Sequence, residues 1–185
     1  LPLIVEAIAA HTRAASVPGV RLIAIDGESG AGKSTLASKL ALELDAPLIQ
    51  IDDFVSWDNF SGWWPRFETQ VLGPLLAGRD AVHQQRDWAG DEFGDTLGEW
   101  RTVSWAPVVV LEGITASRKS VTDRLACRVW VDAPPHVRLH RGIARDGEDH
   151  RALWEKWMVE EAAFFEADDT RARADFVVSG TAQII

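Results

Sequence analysis

One octapeptide restricts the fold of this 185-residue chain more than any other feature. It is "GESGAGKS", Gly27 to Ser34, set between the apolar run "LIAID" and the helical pattern "KSTLASKLALEL". The pattern G-x-x-x-x-G-K-[ST] needs a strand before it and a helix after it, and both are here. Its glycines let backbone N–H groups curl around a phosphate, and the positive end of the helix dipole adds to the attraction. Gly27, Ser29, Gly30, Ala31, Gly32, Lys33, Ser34 and Thr35 are therefore expected to cradle the phosphates of a nucleoside triphosphate. Lys33 would reach the β- and γ-phosphates, and the Ser34 hydroxyl would ligate Mg²⁺.

Five apolar segments rich in β-branched residues read as strands: "VRLIAIDG" (20–27), "APLIQIDD" (46–53), "PVVVLEG" (107–113), "CRVWVDA" (127–133) and "ADFVVSG" (174–180). Continuous apolar runs suit strands covered on both faces, as in parallel sheets. Helical patterns lie between them, at roughly 32–45, 66–78, 134–146 and 149–168. The alternation predicts an α/β fold of the P-loop NTPase type, a five-stranded parallel sheet flanked by helices. In such folds ligands gather beyond the carboxyl ends of the strands, where Asp52, Asp53, Glu112 and Asp132 all fall. Residues 54–106 are too long for an ordinary connection and hold only one convincing helix, so they read as an ordered excursion on the acceptor side. The whole chain, 1–185, fits one domain.

Composition narrows the function. A net charge of −9 argues against a general nucleic-acid binder. No apolar run is long enough to span a bilayer, so no membrane partner is expected. The opening "LPLIVEAIAAHTRAAS" lacks a basic leader and carries Glu6 within its apolar part, which fits an amphipathic helix better than a signal peptide. The single cysteine, Cys127, fits a reducing compartment and a cytoplasmic protein, and its place in "CRVWV" suits a small buried strand residue.

The phosphate loop does not name a reaction. A guanine-reading N-K-x-D is absent, since Asn59, in "NFSG", is the only asparagine. Glu112, ending "VVVLE", suits either the Mg²⁺ shell or polarisation of water. Arg138, Arg141 and Arg145 recur at i, i+3 and i+7 and suit the charge of a phosphoryl group in transit, or else a solvated basic face. His136 and His140 lack a third zinc ligand and stand among arginines. Trp130, Trp154 and Trp157 read as core; Trp57, Trp63, Trp64 and Trp88 follow the rim and either pack the acceptor side or stack on the acceptor.

Taken together, "DGESGAGKSTLA", "IDDF", "RDW", "VVVLEGI" and "VRLHRGIARD" occur in the order found in the uridine kinase/phosphoribulokinase group of P-loop kinases, which the chain resembles from about residue 20 to 180. The resemblance implies that Asp52 is the carboxylate that orients and deprotonates the acceptor hydroxyl. It also implies that Glu112 sits near Mg²⁺, that Arg141 and Arg145 belong to a lid, 134–150, closing over ATP, and that "VVSGT" lies near the adenine. Asp53 is expected to orient or to contact Mg²⁺ through water, the alternative being that Asp52 and Asp53 exchange roles. Where pyrimidine-specific members carry a Tyr-Asp-Phe-like segment and a following His, this chain has Arg86, Asp87 and Trp88 and no nearby His. Asp87 would bind acceptor hydroxyls. Arg86 would favour an acidic or phosphorylated acceptor, or pair with Glu92 or Asp91. The expected activity is an ATP- and Mg²⁺-dependent kinase acting on a hydroxyl of a small molecule, a nucleoside among the candidates, with Asp52, Trp57, Trp64, Arg86, Asp87, Trp88 and Arg138 on the acceptor side. The alternatives are a nucleoside-monophosphate kinase and an ATP-binding regulatory protein with little transfer activity. Oligomeric state is not legible.

Overall fold

β1 (Arg21–Asp26) is buried along almost its whole length because it forms the centre of the sheet. It pairs in parallel with β5 (Val108–Glu112) on one side and β6 (Leu125–Asp132) on the other. β2 (Leu48–Gln50) and β7 (Phe176–Ser179) complete a five-stranded parallel sheet in the order β2-β5-β1-β6-β7. The computed structural model describes residues 2–181. The remaining elements are α1 (Pro2–Ala14), α2 (Lys33–Leu44), α3 (Trp64–Phe67), α4 (Gly73–Leu76), α5 (Pro135–Asp146), α6 (Arg151–Asp168), and an antiparallel hairpin of β3 (Ala81–Arg86) and β4 (Leu97–Val103).

The two-residue period of the strands divides the core in two. Ile23 and Ile25 face one side with Val110, Val129 and Val131, under Val5 and Ile8 of α1 and Leu36 and Leu40 of α2. Leu22 and Ala24 face the other side with Val109, Leu111 and Trp130, under Trp157 and Phe165 of α6 and the excursion residues Phe54, Trp63, Phe67, Val71 and Leu75. Full burial of each such Leu, Ile, Val or Phe contributes about 1.5–3 kcal/mol, so the excursion is bound to the sheet by its own aromatic and aliphatic face. Cys127 lies in the first of these cores, and burial pushes its thiol up to about 12.

Three local expectations need correction. The second strand stops at Gln50, and Ile51–Asp53 form a 3₁₀ turn, so the two aspartates leave the strand on a tight turn. The helix foreseen at 66–78 begins at Trp64 and passes through a π-helical stretch, Glu68–Leu72, before α4. Pro74 has no N–H and its ring would meet the carbonyl four residues back, and a widened turn relieves both problems. The β3–β4 hairpin carries no apolar run and is absent from the expected elements.

Candidate active site

The phosphate loop joins the end of β1 to α2. Gly27 has φ +140°, and a Cβ there would stand 2.4 Å from the Val131 carbonyl oxygen. Gly30 has φ +77°, and its Cβ would meet the Arg138 carbonyl at 2.6 Å. Only glycine accepts both the backbone conformation and the contact. Helix α2 starts at Lys33 with no side-chain cap, leaving its first N–H groups to whatever lies in front of them. The Lys33 ammonium curls back and donates to the carbonyls of Gly27 (2.9 Å) and Glu28 (3.1 Å). A cradle of this shape, open to backbone donors and fronted by an ammonium, fits a polyphosphate.

Behind the loop stands a layer that the sequence did not reveal. Fully buried Asp26 accepts the N–H of Gly27 (2.8 Å), Thr115 (2.9 Å) and Ser117 (2.8 Å) and the Ser117 hydroxyl (2.9 Å). Burial pushes its carboxyl up, and these hydrogen bonds with the Lys33 charge pull against the shift. Glu161 of α6, also fully buried, accepts the Ser29 N–H (2.9 Å) and pairs with Arg138 (2.5 Å), which also reaches Glu28 (2.9 Å). Arg138, expected on the acceptor side, is therefore a buried brace of the phosphate loop. The signal available for Asp26 was a carboxylate placed directly before Gly27 at the end of an apolar strand; for Glu161, an acid at the helical spacing of Trp154, Trp157 and Phe165 on the buried face of α6.

Lys33 and Ser34 share a cleft of about 560 Å³ with Asp52, Glu112, Arg141 and Arg145. Asp52 lines that cleft and is exposed to it. Enclosure pushes its carboxyl above the usual aspartate range, Lys33 and Arg145 pull it back, and Asp53 and Asp146 add to the rise. Glu112 is almost fully buried beside Ser34, and loss of solvent likewise raises its carboxyl against the pull of Lys33. Ser34 and Glu112 together form an oxygen donor set suited to Mg²⁺ at the mouth of the loop.

Asp53 is not part of that set. Its carboxylate accepts from His83 Nε2 (2.8 Å, taking that nitrogen as protonated) and Gln85 Nε2 (3.2 Å), with Arg101 at 3.9 Å. Burial works against its charge, yet these hydrogen bonds prevail and hold the carboxyl below its ordinary value. The 3₁₀ turn points neighbouring side chains in different directions, so Asp52 faces the cleft while Asp53 ties down the hairpin.

The remaining predicted residues separate in the same way. Arg141 donates to the carbonyls of Gly30 (3.0 Å), Ala31 (3.3 Å) and Gly180 (3.0 Å), fastening the loop to the segment after β7. Arg145 holds Asp146 through two hydrogen bonds (2.8 and 3.0 Å) and lies over the Trp154 ring. Trp57 and Trp88 line the cleft with Trp154 and Trp157. The Trp88 indole donates to the Asp52 carbonyl (2.9 Å), and the Trp157 indole to the Ser29 hydroxyl (2.9 Å). Trp64 does not line it; it packs against Trp63, Phe67 and the Arg118 guanidinium. Asp87 caps a turn through the Gly90 N–H (2.8 Å). Arg86 is buried over Trp88 and pairs with neither Glu92 nor Asp91. Glu92 is joined instead to His150, which bridges the segment before α6 to the loop of the hairpin (2.5 Å).

No protein-family model and no curated protein matches the sequence. Solved structures do match its shape. A possible uridine kinase from Bacillus stearothermophilus superposes with a TM-score of 0.70 at 21% identity, over 97% of this chain and 100% of that one. A proposed fructose transport system kinase from Silicibacter sp. gives 0.65 at 20% identity, over 95% and 97%. Shikimate kinase from Acinetobacter baumannii, in complex with shikimate, gives 0.52 at 16%, over 89% and 85%. The chain has the α/β P-loop fold of these kinases, with a uridine kinase-like arrangement of its elements.

Proposed function

We propose that this protein transfers the γ-phosphoryl group of ATP to a hydroxyl of a small molecule. The observation that carries the reading is Asp52, a carboxylate open to the same cleft as Lys33 and the phosphate loop and raised toward the working range of a base. The loop amides, Lys33 and Thr35 hold the donor phosphates; Ser34 and Glu112 would hold Mg²⁺, which when bound spreads the charge of the β- and γ-phosphates. The acceptor oxygen bonds to the γ-phosphorus as the bond to the β–γ bridging oxygen breaks, ADP leaves, and the hydroxyl proton passes to Asp52. Lys33, Arg141 and Arg145 face the negative charge that the transfer develops. The aromatic walls from Trp57, Trp88, Trp154 and Trp157 keep water from competing as the acceptor.

The kinase structures of similar shape support this class of reaction, and the possible uridine kinase makes nucleosides one acceptor class to include. The test is ADP release with Mg·ATP across nucleosides, sugars, hydroxy acids and their phosphorylated forms. One class should raise the rate well above the acceptor-free background. A rate that no acceptor raises would favour an ATP-binding regulatory protein, and a nucleoside diphosphate made from a monophosphate would redirect the reading to a nucleotide kinase.

A further inference from the structure

The hairpin beside the cleft carries a charge that the reaction above leaves unused. The register of β3 against β4 shifts between Gln84 and Arg86. Such a bulge re-aims a side chain, and here two consecutive residues turn inward: Gln85 donates to Asp53, and Arg86 is only 5% exposed. The Arg86 guanidinium lies 4.2 Å from the centre of the Trp88 ring. That same indole lines the cleft and donates to the Asp52 carbonyl, so one indole separates Arg86 from the residue of the reacting carboxylate.

Nε, Nη1 and Nη2 of Arg86 are all buried with no hydrogen-bond partner among the described residues. Other buried or half-buried arginines are supplied at their Nη atoms. Arg66 has the carbonyls of Gln84 and Asp53, Arg118 has Ser61 and Thr115, and Arg138 has Glu161 and Glu28. Nor are nearby acids free to serve Arg86: Asp53 is taken by His83 and Gln85, Asp91 by Gly94 and Thr96, and Glu92 by His150. Contact with an aromatic face offsets only part of the cost of stripping water from a guanidinium. Its planar fork of donors matches one partner best, a carboxylate or a phosphate.

We propose that Arg86 is the oxyanion-binding residue of the acceptor site, and that the acceptor carries a carboxylate or a phosphate besides the hydroxyl that is phosphorylated. This rests on the reading that the Asp52 cleft takes the acceptor. Trp88, 37% exposed, covers the guanidinium and separates it from the cleft, so the anion reaches Arg86 only if the indole swings away.

Two measurements on wild type and Arg86→Met test it. Without ligand, calorimetric unfolding should show a higher Tm for the variant, because a buried guanidinium with no hydrogen-bond partner, attracted only through space by Asp91, is replaced by an apolar chain of similar reach; a lower Tm overturns the proposal. With the phosphate loop filled by a non-hydrolysable ATP analogue and Mg²⁺, inorganic phosphate and malonate are titrated separately. At least one should raise the wild-type Tm, and Arg86→Met should bind it about tenfold or more weakly. Phosphate alone indicates a phosphorylated acceptor and malonate alone an acidic one. Equal response of both proteins, or of neither, overturns the proposal. These readouts need no turnover, so a failed acceptor screen would sink the kinase reading and leave the oxyanion site standing.

Discussion

Asp52 and Asp53 are neighbours in sequence with opposite electrostatic fates. Asp52 faces the cleft with its carboxyl raised, and Asp53 faces His83 and Gln85 with its carboxyl lowered. If Asp52 accepts the acceptor proton, Asp52→Asn should lower kcat by about 10²–10⁴-fold with little change in the affinity for ATP, as steady-state kinetics would read. The base acts only when ionised. The rate should therefore fall as pH drops through the raised pKa, beginning at a higher pH than an ordinary aspartate would give, and that acid limb should vanish from the residual rate of the variant. The motif "IDDF" points to Asp52 and says nothing of where Asp53 goes. The partners of Asp53 lie 30 and 32 residues further along, in a strand with no apolar pattern to announce it.

The central strands β1, β5 and β6 were legible because each is covered on both faces and so reads as an apolar run, and the half-exposed edge strands β2 and β7 were legible from their short β-branched segments. The β3–β4 hairpin was not, because only Ala81 and Val103 join the apolar core, while His83, Gln85 and the exposed Arg101 turn toward the Asp53 carboxylate. A hairpin of this composition depends on its polar attachments. His83→Ala should lower stability by about 1.5–3 kcal/mol, the range for a hydrogen bond to a charged group, measured by urea unfolding. The Asp53 part of that attachment follows a depressed carboxyl. It is fully present above the unfolded-state value near 3.8 and is lost as pH falls through the lower folded-state value, so the gap between wild type and His83→Ala should narrow only below about pH 4. Unchanged stability in the variant would mean that the hairpin is held by its apolar contacts alone.

Across the whole molecule, the phosphate loop is where the strands, α2, α5 and α6 meet: β1 carries it, Arg141 and Arg138 brace it from α5, and Glu161 and Trp157 touch it from α6. Filling it should therefore stabilise the entire fold. At a hundred times its dissociation constant, Mg·ATP adds about 2.7 kcal/mol, which for a chain of this size raises Tm by roughly 5–10 °C. Lys33→Ala should lose most of that shift, and an unmoved wild-type Tm would count against nucleotide binding. No described helix is long and apolar enough to cross a membrane. One further consequence follows from the aromatic wall of the cleft. Trp57 stands 5.5 Å from Trp157, 6.2 Å from Trp154 and 6.5 Å from Trp88, ring centre to ring centre, in a chain with nine tryptophans and no tyrosine. With no tyrosine and only weakly absorbing phenylalanines besides, the near-ultraviolet emission of this protein comes from indole, and four of its coupled emitters border the cleft. Any swing of Trp88 or docking of a ligand changes that coupling, so the protein carries an optical gauge of its own occupancy.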